Sequence, residues 1–190
     1  MTLDFFGWIQ WVWMLVGLYW LIGALRSKPV ARREKRLSQV FHLTIMTLAC
    51  GLLFSDSARV GYLSRHLLPE ADAIGWVGLG LTVAGCAFAV WARARLGSNW
   101  SASVTRKRGH ELVRGGPYAI VRHPIYSGLL LGILGTALAQ GELRSLLALG
   151  LAFVGWLLKA RIEERFLIEE FGGDYLSYRR RVKQLIPFVF

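Results

Sequence analysis

Two short stretches of this chain hold most of the side chains with chemistry to offer. Arg122-His123-Pro124-Ile125-Tyr126 stands at the mouth of one apolar run, and Glu163-Glu164 follows another. The two runs, residues 125–139 and 146–158, are joined only by the polar turn Gln140-Gly141-Glu142-Leu143-Arg144. So tight a turn folds the runs into a helical hairpin. It sets residues near 123 and near 163 at the same depth on adjacent helices. Taken singly, each side chain has a plain structural reading. Arg122 and Arg179-Arg180-Arg181 read as lipid-headgroup anchors, Tyr118 and Tyr126 as interfacial aromatics, and the glutamates as partners for arginines on their own helix. An Arg-His pair facing a carboxylate pair is a different matter, because ionisable groups at membrane depth are costly and mark a functional site.

The elements that must position these groups are membrane spans. Of 190 residues, 54% are hydrophobic, 13% aromatic and only 18% charged, which is too apolar for an ordinary soluble domain. The net charge of +11 would point to nucleic acid in a soluble protein, but here the basic residues fall in blocks between apolar runs, as juxtamembrane loops do. Besides the hairpin, residues 5–25, 39–54 and 73–91 are apolar enough to span, and the first carries a belt of Trp8, Trp11, Trp13, Tyr19 and Trp20. Lacking a basic leader and a small-residue cleavage site, that first run reads as an anchor and not a signal peptide. The expected fold is all-α, an integral membrane protein with five transmembrane helices. The hairpin runs are short against the roughly 20 residues a bilayer requires. The spacing of Gly128 and Gly132 would let the hairpin helices approach closely. Cys50 and Cys86 read as small buried hydrophobes.

Charge sets the orientation. Residues 26–36 hold six Lys/Arg, 93–122 hold seven and 159–183 hold seven, whereas the loops on the other side hold only Arg59, Arg65 and Arg144. The N-terminus is therefore expected outside and the C-terminus in the cytoplasm, with residues 92–124 and 159–190 together on the cytoplasmic face. The chain divides into three N-terminal spans (1–91) and a core (92–190) whose loop and C-terminal helices form the pocket. A bacterial-type inner membrane suits so compact a chain. The charged helix that continues the fifth run is expected to break at Gly172-Gly173 and resume.

The segments LGSNWS, HELVRGGPYAIVRHPIYSG, GTALA and EERFLIEEFGGDYLSYRRRV, between about residues 96 and 187, resemble the isoprenylcysteine carboxyl methyltransferase family. These are integral membrane enzymes that use S-adenosylmethionine. The resemblance implies a cofactor pocket of His110, Glu111, Leu112 and Val113, with Tyr118, then His123, Pro124, Ile125 and Tyr126, completed by Glu163. His110 is not a zinc ligand of the HExxH kind, since the second histidine is absent, and no metal is expected. The family's acceptor-facing basic residue falls at Lys159, with Arg161 and Arg122 as further candidates for holding the acceptor against the methyl group. The implied partners are a lipophilic or prenylated acceptor and membrane lipid, with no nucleic acid. Within methyl transfer, a phospholipid amine is the alternative acceptor. From another class, NADPH-dependent membrane reductases of the sterol type share a distantly similar run, but Ile125 and Leu129 depart from their pattern. An oily acceptor is expected to come sideways from the lipid, between the third span and the hairpin, where Gly75, Gly78, Gly80 and Gly85 would leave a groove.

The charge split makes a first prediction. With an impermeant thiol reagent on sealed cells, cysteines placed at Thr2 or Glu142 are expected to react from outside, and cysteines at Arg108 or Gln184 are not. Outside labelling at Arg108 would reverse the orientation.

Overall fold

The computed structural model describes residues 3–25, 36–97, 112–187 and 189. These residues form helices α1 (Phe5–Leu25), α2 (Arg36–Phe54), α3 (Asp72–Leu96), α4 (Pro124–Gln140), α5 (Leu143–Phe171) and α6 (Gly173–Arg181). Four of them, α1, α2, α3 and α5, are long and apolar enough to cross a membrane, and α4 is a shorter apolar helix of 17 residues. At 1.5 Å per residue α4 reaches only about 25 Å, a little less than a hydrocarbon core. The fifth helix continues past its apolar run as a charged helix, as expected. It runs for 29 residues without interruption, because Lys159, Ala160, Arg161, Glu163, Glu164 and Arg165 are good helix formers and carry it beyond its apolar stretch. Gly172 (φ +51) then breaks the helix, and α6 begins one residue later, as the Gly-Gly pair foretold.

The expected helical hairpin is present as α4 and α5, and its turn is buried. Gly141 caps α4 in the left-handed region (φ +63), and its carbonyl accepts a bond from Leu67 N–H at 2.7 Å. Arg144, 1% exposed, bonds Glu142, the Leu52 carbonyl (2.7 Å) and the Ser55 carbonyl (3.2 Å). Gln140 donates to the Leu53 carbonyl at 2.8 Å, and Arg59 lies 3.3 Å from Glu142. These bonds seal the end of α2 and the loop that follows it over the turn. Glu142 and Gln184 are both buried, which makes them poor labelling positions. Exposed Asp56 and Glu70 at one end, and exposed Arg181 at the other, serve that purpose instead.

The small residues do not join α4 to α5. They join α4 to α3, which pack along their whole length. A Cβ on Gly85 would stand 2.4 Å from both the Gly128 carbonyl oxygen and Gly132 N, and one on Gly135 would stand 2.4 Å from the Gly78 oxygen. Backbone therefore touches backbone, and no groove separates the third span from the hairpin. Gly75 is likewise filled by the Phe5 ring, and of the four glycines expected to line a groove Gly80 alone has nothing within 4 Å. Thr82, fully buried, bonds the Gly78 and Gly132 carbonyls, and Trp13 of α1 donates to Thr136 at 3.0 Å. The seam thus carries its own hydrogen bonds, the device by which helices associate in lipid. Arg93 of α3 lies against Tyr19 and Trp20 of α1 (5.6 and 5.4 Å), pinning the other flank. An apolar core of Ala49, Leu53, Ile133, Ala148 and Ala152 joins α2, α4 and α5. Cys86 is buried, whereas Cys50 lies exposed on the outer face of α2.

Gly85→Ala and Gly135→Ala are expected to cost about 1–3 kcal/mol each by overpacking. Gly80→Ala should be neutral or slightly stabilising, since helical alanine is favoured over glycine. Thermal unfolding in detergent reads the difference. Equal midpoints for Gly80→Ala and Gly85→Ala would show that the α3–α4 contact is looser than described.

Candidate functional site

At the end of the hairpin opposite its turn, four ionisable side chains meet. Pro124 occupies the first turn of α4, where its missing N–H costs nothing, and this fixes His123 and Arg122 just outside the helix. Antiparallel packing brings α5 back with Glu163 and Glu164. Glu164 is 4% exposed, and its Oε1 accepts from Arg122 Nε (2.8 Å) and Nη2 (2.7 Å), from His123 Nε2 (3.3 Å) and from Gln184 Nε2 (3.1 Å). Glu163 lies 3.3 Å from His123 Nδ1 and accepts the Tyr126 hydroxyl at 2.5 Å. The imidazole thus has a carboxylate at each nitrogen. Burial alone would lower its pKa, but the hydrogen bonds and charges of Glu163 and Glu164 outweigh burial and raise it above the usual histidine value. Doubly donating imidazolium and guanidinium balance two carboxylates, which is what permits such a cluster to be buried.

The C-terminal segment completes the cluster. Arg122 N–H donates to the Lys183 carbonyl (2.8 Å) and His123 N–H to the Gln184 carbonyl (3.1 Å), so residues 182–185 run alongside 121–123 like a short strand pair. Ser127 donates to the Leu185 carbonyl, and the Tyr178 hydroxyl donates to the Tyr118 carbonyl, both at 2.5 Å. Burial pushes the Tyr178 hydroxyl up to about 12, so it remains a donor throughout the working range of pH. Arg114 reaches Asp174 at 3.4 Å, a second tie between this loop and α6. A stack of rings extends inward from the cluster: His123 lies parallel to Tyr126 at 5.6 Å, and Tyr126 to Trp156 of α5 at 6.0 Å.

Of the residues proposed from sequence, His123, Pro124, Tyr126, Glu163 and Arg122 come together here, with Ile125 half-buried among them. Tyr118 is buried and tied in through Tyr178. Leu112 and Val113 are half-buried on the approaching loop, and His110 and Glu111 lie outside the described residues. Lys159 is half-buried one turn before Glu163, near enough for its charge to act on that carboxylate. Arg161 is exposed, and among the described residues the arginines that pair with the cluster are Arg122 and, 3.6 Å from the other oxygen of Glu164, the half-exposed Arg179. Glu164, read from the sequence as half of the carboxylate pair, shares His123 with Glu163, because a carboxylate one residue along still reaches an imidazole lying between the two. Two contributors went unread in the sequence. Gln184 and Trp156 carried no signal, since a tail crossing a loop and a ring stacking across a hairpin leave no local pattern. Among the described residues no group of three potential metal-binding side chains occurs.

A bundle of apolar helices with a buried charge cluster at one end, strapped by a C-terminal segment, defines an integral membrane protein whose ionisable side chains gather at a hairpin mouth. The chain belongs to the phospholipid methyltransferase family, whose profile matches residues 73–174. It is 34% identical over 125 residues to the protein-S-isoprenylcysteine O-methyltransferase of Schizosaccharomyces pombe, covering 63% of this chain and 50% of that protein. It is 46% identical over 74 residues to methanethiol S-methyltransferase 2 of Bradyrhizobium diazoefficiens, covering 38% of this chain and 27% of that one. The matches thus span about half or less of those relatives' length. The fold is similar to the solved structure of a eukaryotic intramembrane Ras methyltransferase, the isoprenylcysteine carboxyl methyltransferase, with a TM-score of 0.51 and 25% identity over 80% of this chain and 52% of that one.

The raised pKa of His123 has a defined sign. Its protonation contributes stability that is fully present below the ordinary value of 6.5 and is lost as pH rises through the folded-state value. The thermal midpoint in detergent is expected to fall on the alkaline side of pH 6.5, and His123→Gln should flatten that fall. An unchanged slope in His123→Gln would show that the proton is held elsewhere.

Proposed function

We propose that this chain is a membrane methyltransferase that uses S-adenosylmethionine to methylate a lipophilic acceptor bearing a carboxylate, an isoprenylcysteine carboxylate being the type. The observation that carries the reading is the Arg122–His123–Glu163–Glu164 cluster, which lies inside the family match. The donor set suits the cofactor. Glu164 is taken up by Arg122, His123 and Gln184, while Glu163 keeps 24% of its side chain exposed and so can face a ligand ammonium or ribose hydroxyl. Tyr118 and Tyr126 offer rings to an adenine or a sulfonium. The N-terminal end of α4, opened by Pro124, favours the ligand's carboxylate. His110, Glu111, Leu112 and Val113 complete the proposed wall.

S-adenosylmethionine supplies a methyl carbon already activated by its positive sulfur. A carboxylate acceptor is ionised at neutral pH, so no base is required of the protein. His123 fits that economy, because both its nitrogens are engaged by glutamates and it acts by fixing Glu163 in place. What remains for the chain is alignment and the exclusion of water. Lys159 is the proposed holder of the acceptor carboxylate, with Arg161 or Arg122 as further candidates. The 92–190 half is the proposed cofactor-binding core. The twenty-to-three distribution of basic residues supports placing it on the cytoplasmic face of a bacterial-type inner membrane.

Calorimetry on the purified protein with S-adenosylmethionine, S-adenosylhomocysteine and NADPH in parallel tests the reading. Binding of the two sulfur compounds is expected, and binding of NADPH alone would overturn it. Glu163→Gln should weaken S-adenosylhomocysteine by about 2–4 kcal/mol while the protein stays folded. Wild-type affinity in a folded Glu163→Gln would remove Glu163 from the pocket.

A further inference from the structure

The segment that follows α6 carries a pattern the buried cluster does not use. Within a few residues it passes from Arg179, Arg180, Arg181 and Lys183 to the wholly apolar run 185–190. Main-chain bonds fix its path. Residues 182–185 run beside 121–123, and Ser127, early in α4, donates to the Leu185 carbonyl at 2.5 Å. The apolar run therefore starts level with the first turns of an apolar helix. Gln184 and Leu185 are buried, whereas Lys183 lies exposed and Ile186 and Val189 are 43% and 71% exposed. Val189 N–H bonds back to the Ile186 carbonyl at 3.2 Å, so both side chains belong to one turn. Large apolar side chains left open beside the mouth of a membrane helix have lipid as their natural cover. The charge beside them is one-sided. From residue 173 to 189 four basic residues stand against a single carboxylate, Asp174, which lies 3.4 Å from Arg114. Arg180 and Arg181 are exposed at the end of α6.

We propose that Arg180, Arg181, Lys183, Ile186 and Val189 form a docking surface for an anionic lipid leaflet, and that this contact holds the strap of residues 182–185 over the buried cluster. The basic side chains meet lipid phosphates and the apolar turn enters the acyl boundary, two signals that together make a surface attachment stable. Gln184 links this surface to the site. Its carbonyl accepts from His123 N–H at 3.1 Å, and its side chain donates to Glu164 Oε1, also at 3.1 Å. Lys183, one residue earlier, accepts from Arg122 N–H through its carbonyl while its side chain is on the exposed side. The charge of the leaflet is thereby coupled to the partners of Glu164. None of these contacts requires the methyltransferase reading.

Hydrogen exchange on the wild-type protein tests this, in nanodiscs of phosphatidylcholine alone and of phosphatidylcholine mixed with phosphatidylglycerol. The amides of Arg122 and His123 are expected to exchange at least about fivefold more slowly in the anionic discs, the factor that corresponds to one basic residue at a charged surface. Arg180→Gln, Arg181→Gln and Lys183→Gln combined should abolish that difference, and inorganic phosphate added to the neutral discs should not produce it. Insertion is read separately. Cys86 is buried and Cys50 exposed, so Cys50→Ser gives a background in which Val189→Cys can carry an environment-sensitive fluorophore. Lipids spin-labelled high on the acyl chain should quench it. Equal exchange in the two discs, a difference that survives the triple substitution, the same protection from phosphate, or an unquenched fluorophore would each overturn the docking surface.

Discussion

One oxygen atom organises the functional end of this molecule. Oε1 of Glu164 accepts from Arg122, His123 and Gln184, side chains that belong to the loop before α4 and to the C-terminal tail, while Glu164 itself belongs to α5. Three segments remote in sequence are thereby fixed to one point. A buried carboxylate is tolerable only with such partners, and removing any of them leaves a charge whose desolvation is no longer offset. Glu163 inherits its position from this arrangement. It shares the imidazole of His123 with Glu164, so the ring transmits the fixed geometry of the buried carboxylate to the partly exposed one. The residue that faces a ligand is held by the residue that does not.

The rest of the bundle serves that point by being rigid where it matters. Glycines at 78, 85, 128 and 135 let α3 and α4 touch through their backbones, and Thr82 and Thr136 satisfy the polar groups that this closeness buries. In lipid there is no hydrophobic force to press helices together, so close packing and hydrogen bonds must do it. A short α4 joined to α3 in this way cannot slide, and its first turn presents His123 at a fixed depth. The α2–α5 contact is looser at one end, with a recess where the α3–α4 contact has none.

The hairpin and its consequence were legible because a turn of five residues leaves no freedom. Residues 123 and 163 had to meet, and they do. Membrane character was legible from composition, and the helix break from Gly172-Gly173. The facing of small residues was not, since the pair Gly128 and Gly132 says that some helix comes close but not which one. The reach of α5 was legible from the charged helix formers after its apolar run, although hydropathy alone marks only where the helix leaves the apolar slab. A pair of adjacent glutamates did not reveal which of them would be buried. Each step along a helix turns the side chain by about 100°, and the phase is set by packing that only the folded chain displays. The strap of residues 182–185 over 121–123 pairs main-chain atoms, which leave no trace in side-chain pattern.

The two buried charge clusters sit on one continuous helix. Arg144 lies near the start of α5 and Glu164 about twenty residues later, which places them about 30 Å apart along the axis. That distance matches the hydrocarbon thickness of an ordinary bilayer. The helix thus works as a ruler with a fixed mark at either end, because neither cluster can shift along it without breaking its bonds. A thinner or thicker membrane must be met by tilt of the whole bundle or by local adjustment of the lipid. Bilayer thickness therefore sets how far the charged mouth stands from the water, and lipid composition becomes a physical variable of the site itself.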